Sequence, residues 1–194
     1  EPRRAVFELA RKFVAAFINF DKPLIGAVNG AAIGEGFSSL LHCDVVYASP
    51  SAYFWAPFAR AGAAPEFCAT MLATRRLGPT LGNAALYLSR KITAAEAQRA
   101  GFVLDIVEGA NFQGAVEALI QEGLALAGPA DLRADTLKRF RALAYPDQER
   151  ERLLAQADKE FELLARRAAN GETARVQAYY SDQFSKIRKG QVKR

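Results

Sequence analysis

The stretch that decides the fold is residues 22–36, KPLIGAVNGAAIGEG. Its first half, Leu24–Val28, is a short apolar run of the kind that forms a buried strand. Its second half, Asn29–Gly36, is rich in glycine and is predicted to turn. The residues that follow, Phe37–Leu41, have the pattern of a helix. The stretch therefore predicts a strand, a glycine-rich turn and the beginning of a helix.

A glycine-rich turn that leads into a helix directs backbone N–H groups towards whatever lies above it, and the helix dipole favours negative charge there. A phosphate and the oxyanion of an enolate both satisfy such a turn. A dinucleotide site needs three glycines at a set spacing, and a P-loop ends in Gly-Lys-Ser or Gly-Lys-Thr. Residues 29–36 fit neither pattern. An oxyanion site remains as one interpretation, beside the alternative that the turn is only structural.

Strands and helices alternate outward from this stretch. Apolar residues at helical spacing predict an amphipathic helix before it, namely Val6, Leu9, Ala10, Phe13 and Phe17. Further strands are predicted at Val45–Ala48, Ala52–Trp55 and Phe102–Val107. Helices are predicted on both sides of Leu77–Pro79, and a short one follows the capping box that Thr93 opens.

After Asn111 only helical patterns occur, with breaks at Gly128, Pro146 and Gly171. The sequence therefore predicts an α/β core over residues 1–108, followed by a C-terminal helical region over residues 109–194.

Composition limits the classes of function. With 194 residues, 51% of them hydrophobic, the chain can bury one substantial core. No apolar run approaches the roughly 18 residues of a membrane span, so no membrane partner is expected. The net charge of +5 suits nucleic acid, an anionic membrane or a phosphorylated ligand, and does not choose among them. His42, the single histidine, and two cysteines lack metal-ligand spacing, so we expect no metal or disulfide framework, and His42 and Cys43 in the core.

The order and spacing of several segments resemble the enoyl-CoA hydratase/isomerase superfamily, also called the crotonase superfamily. The segments are residues 22–36, Cys43–Ser49, Ala52–Phe54, Leu77–Gly78, Ala85–Ala97 and Ala100–Val103. The resemblance implies a crotonase-like α/β fold, with a spiral core of ββα turns and then the C-terminal helical region. The implied ligand is an acyl-CoA thioester, with coenzyme A as part of the substrate and no separate cofactor, metal or nucleic acid.

The resemblance also implies assembly as a homotrimer or hexamer through the helical region. Four apolar residues there exceed what a small appendage needs and are expected to serve that assembly: Leu153, Leu154, Phe161 and Leu164.

The first residues, Glu1–Arg4, lack an initiator Met and offer no signal peptide to read, as expected for the interior of a longer protein.

The step common to this family is formation of a thioester enolate whose oxygen is held by two backbone N–H groups. The resemblance assigns one N–H to Glu35 and places the backbone of Gly34 and Gly36 in the same oxyanion hole. The second belongs to a strand and loop upstream of the first helix, which this stretch of sequence does not include. Substrate contacts are implied at Ala32, Ile33, Phe58 and Phe67.

The carboxylates distinguish the reactions of the family. Its hydratases use two glutamates at positions that match Ser38 and Phe58, neither of which is an acid, so ordinary hydration is disfavoured. Glu66 follows Pro65, and the peroxisomal type of Δ3,Δ2-enoyl-CoA isomerase carries its catalytic glutamate at this Pro-Glu position. One carboxylate is enough for that reaction, because it can remove a proton at C2 and return it at C4.

The resemblance therefore implies isomerisation of 3-enoyl-CoA to trans-2-enoyl-CoA in fatty-acid β-oxidation, with Glu66 as the base. The alternative for Glu66 is an acid in the first turn of a helix. The alternatives for the protein are another crotonase reaction, such as enoyl-CoA hydration, and a non-catalytic acyl-CoA-binding module like that of the chromodomain-Y-like group.

Two further features are open to more than one interpretation. Glu35 is an acid where the family has a small residue, and we expect it to point away from the ligand or to form an ion pair. The basic tail, Lys186–Arg194, resembles the helix that contacts coenzyme A, with Tyr179 or Phe184 as its aromatic residue, but it also fits a solvated helix end. The last residues do not form a Ser-Lys-Leu signal, and a peroxisome, a mitochondrion and a bacterial cytoplasm all remain compatible.

Overall fold

The structure, a computed structural model, describes the backbone of residues 2–188 and the side chains of residues 6–182. This part of the chain alternates strands and helices and ends in four helices. The elements are α1 (Pro2–Asn19), β1 (Ile25–Val28), β2 (Ala31–Ile33), α2 (Glu35–Leu40), β3 (Val45–Ala48), β4 (Tyr53–Trp55), α3 (Phe58–Ala61), α4 (Ala69–Tyr87), β5 (Lys91–Thr93), α5 (Ala94–Arg99), β6 (Asp105–Ile106), α6 (Phe112–Leu126), α7 (Ala130–Ala144), α8 (Asp147–Ala169) and α9 (Glu172–Arg188).

The strands form two small sheets of three strands each. The segment with β1 and β2 adds one strand to each sheet, and so does the segment with β3 and β4. In one sheet β1, β3 and β6 run parallel, with Ile25 opposite Val45. In the other, β2 and β4 run parallel with Ala31 opposite Tyr53, and β5 pairs antiparallel with β4. The segments β1-β2-α2 and β3-β4-α3 are thus successive ββα units. This repetition confirms the spiral α/β core predicted from the sequence.

Three strands differ from the prediction. The glycine-rich segment turns only at its two ends, because Ala31–Ile33 pairs with β4 as a strand. The last predicted strand is reduced to Asp105–Ile106, since the Phe102 N–H donates to the Ala97 carbonyl at 2.9 Å instead of joining a sheet. Strand β5 is not predicted, because three residues around the buried Ile92 are too few to show an alternating pattern.

The helices after the second ββα unit follow the prediction with one change. The two helices expected around residues 77–79 form one element, α4, which is kinked at Gly78, where φ is 75°. Pro79 has no N–H to continue the helical hydrogen bonding at this point. Helix α5 begins with the predicted capping box between Thr93 and Glu96.

A cluster of aromatic rings forms the centre of the core. Phe37, Phe54 and Phe102 are at most 2% exposed, and their ring centroids lie 5.2, 5.9 and 6.1 Å apart. They come from α2, β4 and the segment before β6. This cluster of three rings therefore joins both ββα units to the end of the α/β region. Tilted and edge-on ring pairs of this kind add to the stabilisation from apolar burial.

The C-terminal helices share this core. On α8, Leu153 and Phe161 are buried in the same hydrophobic cluster, and Leu154 and Leu164 pack against it. Leu153 and Phe161 are therefore part of the chain's own core and are not available for assembly, whereas for the partly buried Leu154 and Leu164 that role stays a prediction. The boundary predicted between residues 108 and 109 stays a prediction, and side chains on both sides of it contribute to one core.

A buried ion pair fastens α7 to the α/β region. Arg141 is 5% exposed; its Nε donates to the Phe20 carbonyl at 2.8 Å, and its guanidinium pairs with Asp44. The Asp44 carboxylate also accepts the Leu24 N–H at 2.7 Å, just before β1.

Among the helices that the structure describes, none combines the length and hydrophobicity needed to span a membrane. Within the same residues no cluster of three or more His, Cys, Asp or Glu could hold a metal ion.

Candidate active site

The glycine-rich turn sits between β2 and α2. Gly34 has φ 58° and ψ −120°, a conformation that favours glycine. Its N–H donates to the Trp55 carbonyl at 2.8 Å and so continues the pairing of β2 with β4. Because this N–H is already used, Gly34 cannot donate to an oxyanion, and the prediction that included it is wrong for this residue.

The next two amides remain available. Glu35 and Gly36 are the first residues of α2, where a backbone N–H has no acceptor within its own helix. Across residues 2–188 no acceptor is found for either N–H. Both residues are exposed, and no ion pair of Glu35 is found among the described side chains. The turn therefore presents two unsatisfied N–H donors at its surface, of which Glu35 is the one that the sequence favours.

Glu66 lies in the loop between α3 and α4 and is half-buried. Helix α4 begins at Ala69, three residues later, so the alternative interpretation of Glu66 as an acid in the first helical turn is wrong. The two intervening residues, Phe67 and Cys68, have φ of 57° and 55°, in the left-handed region that residues other than glycine adopt rarely. The base candidate therefore precedes a strained turn, which is frequent at functional sites.

The electrostatic setting of Glu66 favours its protonated form. Burial raises the pKa of Glu66 above its usual range, and the negative charge of Glu35 raises it further. The pKa of Glu66 therefore depends on the charge of Glu35 in the glycine-rich turn. A carboxylate whose pKa is moved towards neutrality is better matched to general-base work near pH 7.

A cavity of about 230 Å³ adjoins this region, and Arg167 is among its lining residues. Its walls include Phe58, Ala63 and Leu86, together with Pro65 and Thr70 from the loop and helix that flank Glu66. Phe58 is 6% exposed and occupies a position where the hydratases have an acid, so it offers no carboxylate to place a water. Ala32 on β2 is also buried, whereas the neighbouring Ile33 is 42% exposed.

Phe67 belongs to a different environment from the one predicted. Its ring is 1% exposed and packs edge-on against Phe13 and Phe17 of α1, with centroids 5.6 and 5.2 Å away. His42 Nε2 lies 2.8 Å from the Phe67 carbonyl, and burial lowers the pKa of His42, so the neutral imidazole donates this hydrogen bond. Phe67 is therefore a core residue, its predicted substrate contact is not supported, and the expectation that His42 is structural agrees with its burial.

Ser38 takes the place of a hydratase glutamate and is fully buried, and its Oγ has no hydrogen-bond partner among the described residues. A buried hydroxyl without a partner destabilises the folded state. We therefore expect Ser38→Ala to raise the free energy of unfolding by about 1 kcal/mol and to leave any isomerase activity unchanged. Chemical denaturation checks this, with the neighbouring and more exposed Ser39→Ala as the control. A loss of stability larger for Ser38→Ala than for Ser39→Ala would mean that the hydroxyl has a partner.

Sequence reasoning missed one acidic residue near the site, Glu160 of α8. It is 3% exposed, and its Oε1 accepts the Thr70 N–H at 3.0 Å and the Thr70 hydroxyl. Burial raises the pKa of Glu160 to about 7, and the charge of Glu66 acts in the same direction. The signal was present in the pattern, because Glu160 falls on the apolar face of α8 that includes Leu153, Ala157 and Phe161.

The basic tail cannot be assessed in the same way, because Lys189–Arg194 lie outside the described residues, as do the side chains of Phe184 and Lys186. Tyr179 is described, and it lines a second cavity of about 470 Å³ together with Arg167 and Arg175.

The fold and the site define a class of protein: a ββα spiral with an amide-bearing glycine turn beside a half-buried carboxylate. A family model described as Enoyl-CoA hydratase/isomerase matches residues 5–174, and the chain belongs to this family. A solved enoyl-CoA hydratase/isomerase from Pseudoalteromonas atlantica T6c is similar at a TM-score of 0.77 and 31% identity, covering 89% of this chain and 66% of that one. The enoyl-CoA hydratase of Bacillus halodurans, at 23% identity and a TM-score of 0.77, covers 90% of this chain and 68% of that one and supports the fold.

Two kinds of curated relative are similar to the chain. The Chromodomain Y-like protein of Mus musculus is 41% identical over 112 residues, which are 58% of this chain and 19% of that protein. Enoyl-CoA delta isomerase 2 of Homo sapiens is 39% identical over 105 residues, which are 54% of this chain and 27% of that protein. The chain thus spans only about a fifth to a quarter of these relatives.

Proposed function

We propose that the protein isomerises 3-enoyl-CoA thioesters to trans-2-enoyl-CoA, a reaction of fatty-acid β-oxidation, with Glu66 as the catalytic base. The observation that carries the proposal is the setting of Glu66: half-buried, with a raised pKa, and electrostatically coupled to the turn that presents the Glu35 N–H. The hydratase positions hold Ser38 and Phe58, so no second acid is supplied there. The similarity to enoyl-CoA delta isomerases supports the same choice.

The proposed reaction needs one proton shuttle. The Glu66 carboxylate removes the proton at C2, and the electrons of that C–H bond form an enolate whose charge rests on the thioester oxygen. When the enolate collapses, a double bond forms between C2 and C3, and C4 takes the proton back from Glu66. The base is thereby regenerated, and no water is consumed, which agrees with the phenylalanine wall beside the site.

The enolate oxygen is the group that the turn would stabilise. In this proposal the Glu35 N–H donates to it, with Gly36 next in line, and a donor of this kind is worth about 3–4 kcal/mol in comparable sites. The acyl chain would lie in the cavity lined by Phe58 and Leu86, with coenzyme A as part of the substrate. The resemblance to the family assigns the second N–H donor to a strand and loop upstream of the first helix.

Assembly as a homotrimer or hexamer is part of the proposal. The observation that supports assembly lies on α7 and at the end of α6. Large apolar side chains are exposed there: Leu126, Leu132, Phe140 and Leu143. Exposed apolar surface of this extent commonly marks an interface. Sedimentation equilibrium of the complete polypeptide tests it, and a stable monomer would contradict it.

A non-catalytic acyl-CoA-binding module is the second candidate. It is favoured by the 41% identity to the Chromodomain Y-like protein and by the acidic side chain of Glu35, whose charge opposes a developing oxyanion. Another crotonase reaction, above all enoyl-CoA hydration, is the third, and the missing acids at positions 38 and 58 count against it.

One experiment separates these candidates. The complete polypeptide is assayed for turnover of 3-hexenoyl-CoA and of crotonyl-CoA, and its binding of a saturated acyl-CoA is measured by calorimetry. Isomerisation of the first substrate without hydration of the second supports the proposed function. Hydration of crotonyl-CoA supports the hydratase, and binding without either turnover supports the binding module.

A further inference from the structure

The turn after Glu66 needs external support. Phe67 and Cys68 both have positive φ, a strained conformation that persists only where the surrounding structure imposes it. On one side, Phe67 is held by α1 and His42. On the other side both contacts come from α8, where the Leu153 carbonyl accepts the Cys68 thiol at 3.1 Å and Glu160 binds Thr70.

Glu160 is an unusual anchor because it is an acid buried on the apolar face of α8. Oε1 accepts both donors of Thr70, and the Thr70 hydroxyl in turn accepts the side-chain amide of Gln156 at 2.9 Å. Oε2 is buried and has no partner in the described part of the chain. Burial favours the neutral acid, and this effect outweighs the hydrogen bonds from Thr70, which favour the ionised form.

The charged groups around Glu160 do not neutralise it. The negative charge of Glu66 in the loop raises the pKa of Glu160 further. Cys68 is the nearest titratable group of the turn, and burial raises the pKa of its thiol to about 12, so it stays neutral. On α8 itself Glu149 is paired with Arg75 of α4, and Asp158 is paired with Arg11 of α1. No cation is therefore available in these pairs to hold Glu160 ionised.

We propose that Glu160 is a positioning residue for Glu66: its buried carboxyl accepts both donors of Thr70 and so holds the Glu66–Thr70 turn against α8. This inference rests on the proposed function. It makes α8 a part of the site, because the helix that closes the core also fixes the loop that carries the base.

Matched substitutions in the complete polypeptide test the anchoring. Glu160→Ala removes the acceptor for Thr70, and we expect kcat for 3-hexenoyl-CoA to fall about 10- to 100-fold with little change in KM, as for a small misplacement of a catalytic group. Glu160→Gln keeps an acceptor oxygen and should retain most of kcat near pH 6. The control is Glu162→Ala, on the exposed face of the same helix. An unchanged kcat in Glu160→Ala would overturn the proposal.

A second readout does not depend on activity. Hydrogen exchange at the amides of residues 67–72 should accelerate in Glu160→Ala and stay unchanged in Glu162→Ala. If the protein turned over no substrate yet this acceleration were seen, the proposed function would fail and the anchoring would stand. If Glu160→Ala did not fold, Thr70→Val, which removes only the hydroxyl donor, should show a smaller acceleration in the same amides, and its absence would count against the proposal.

The neutral state of Glu160 makes a prediction about pH. The pKa of Glu160 is about 7 in the folded protein and about 4.5 in the unfolded chain. Between these pH values the folded protein therefore binds one proton that the unfolded chain has lost. The stability that this proton contributes is lost as the pH rises to about 7. Glu160→Gln cannot lose that proton. The difference in Tm between Glu160→Gln and the native protein should therefore grow with pH by about 5–10 °C from pH 4.5 to 7.5. A difference that is independent of pH would mean that Glu160 is ionised throughout.

Discussion

Replacing Glu66 with Gln is expected to lower the rate of 3-enoyl-CoA isomerisation by about 10²–10⁴-fold, the effect of losing a general base. Gln keeps the volume of the side chain and its hydrogen-bonding shape but has no basicity. No other acid stands at the hydratase positions, because Ser38 and Phe58 occupy them, so the loss should lie at the upper end of this range. Steady-state kinetics with 3-hexenoyl-CoA on the complete polypeptide give the measurement.

The companion measurements distinguish the role of Glu66 from that of Glu35. Acyl-CoA binding by Glu66→Gln should barely change, because binding rests on the amides of the turn and the apolar walls. Glu35→Gln removes a charge that raises the pKa of Glu66, so it should shift the acidic limb of the rate profile to lower pH while activity remains. If Glu35→Gln abolished activity and Glu66→Gln retained it, the base would be Glu35.

The ββα core could be predicted because its pattern is local. Residues 22–36 place an apolar run, glycines and a helix start in one stretch, and the structure forms a strand, a turn and α2 there. The strand β2 inside the glycine-rich segment could not be predicted, since its three residues are strand only through pairing with Tyr53–Trp55 of the next unit. Such pairings depend on distant residues and leave no periodicity of their own.

The site was predictable in part for the same reason. Glu66 and Glu35 could be named from short motifs, but the direction of a neighbouring side chain depends on backbone angles that the motif does not reveal. Phe67 adopts a positive φ and turns its ring towards α1, so it packs with Phe17 instead of the cavity. Glu160 lies 94 residues after Glu66 in the sequence, and only the packing of α8 brings its carboxyl to Thr70.

The second large effect concerns stability and the junction between the α/β units and the C-terminal helices. Arg141→Ala is expected to lower the free energy of unfolding by about 3–5 kcal/mol, because it leaves the half-buried Asp44 carboxylate without its cation. It also leaves the Phe20 carbonyl without its donor. For a chain of this size we expect Tm to fall by about 6–20 °C, which calorimetry measures.

Arg139→Ala is the matched control, because the pair of Arg139 with Asp135 lies on the same helix with both side chains largely exposed, at 76% and 65%. Exposed pairs of this spacing contribute about 0.3–0.5 kcal/mol, so Arg139→Ala should leave Tm nearly unchanged. Equal effects of the two substitutions would show that the buried pair gives no net stabilisation. Asp44 also accepts the Leu24 N–H, so the loss of Arg141 affects the segment before β1 as well as α7. A single cooperative transition at a lower temperature in Arg141→Ala would therefore show that α7 and this segment unfold together.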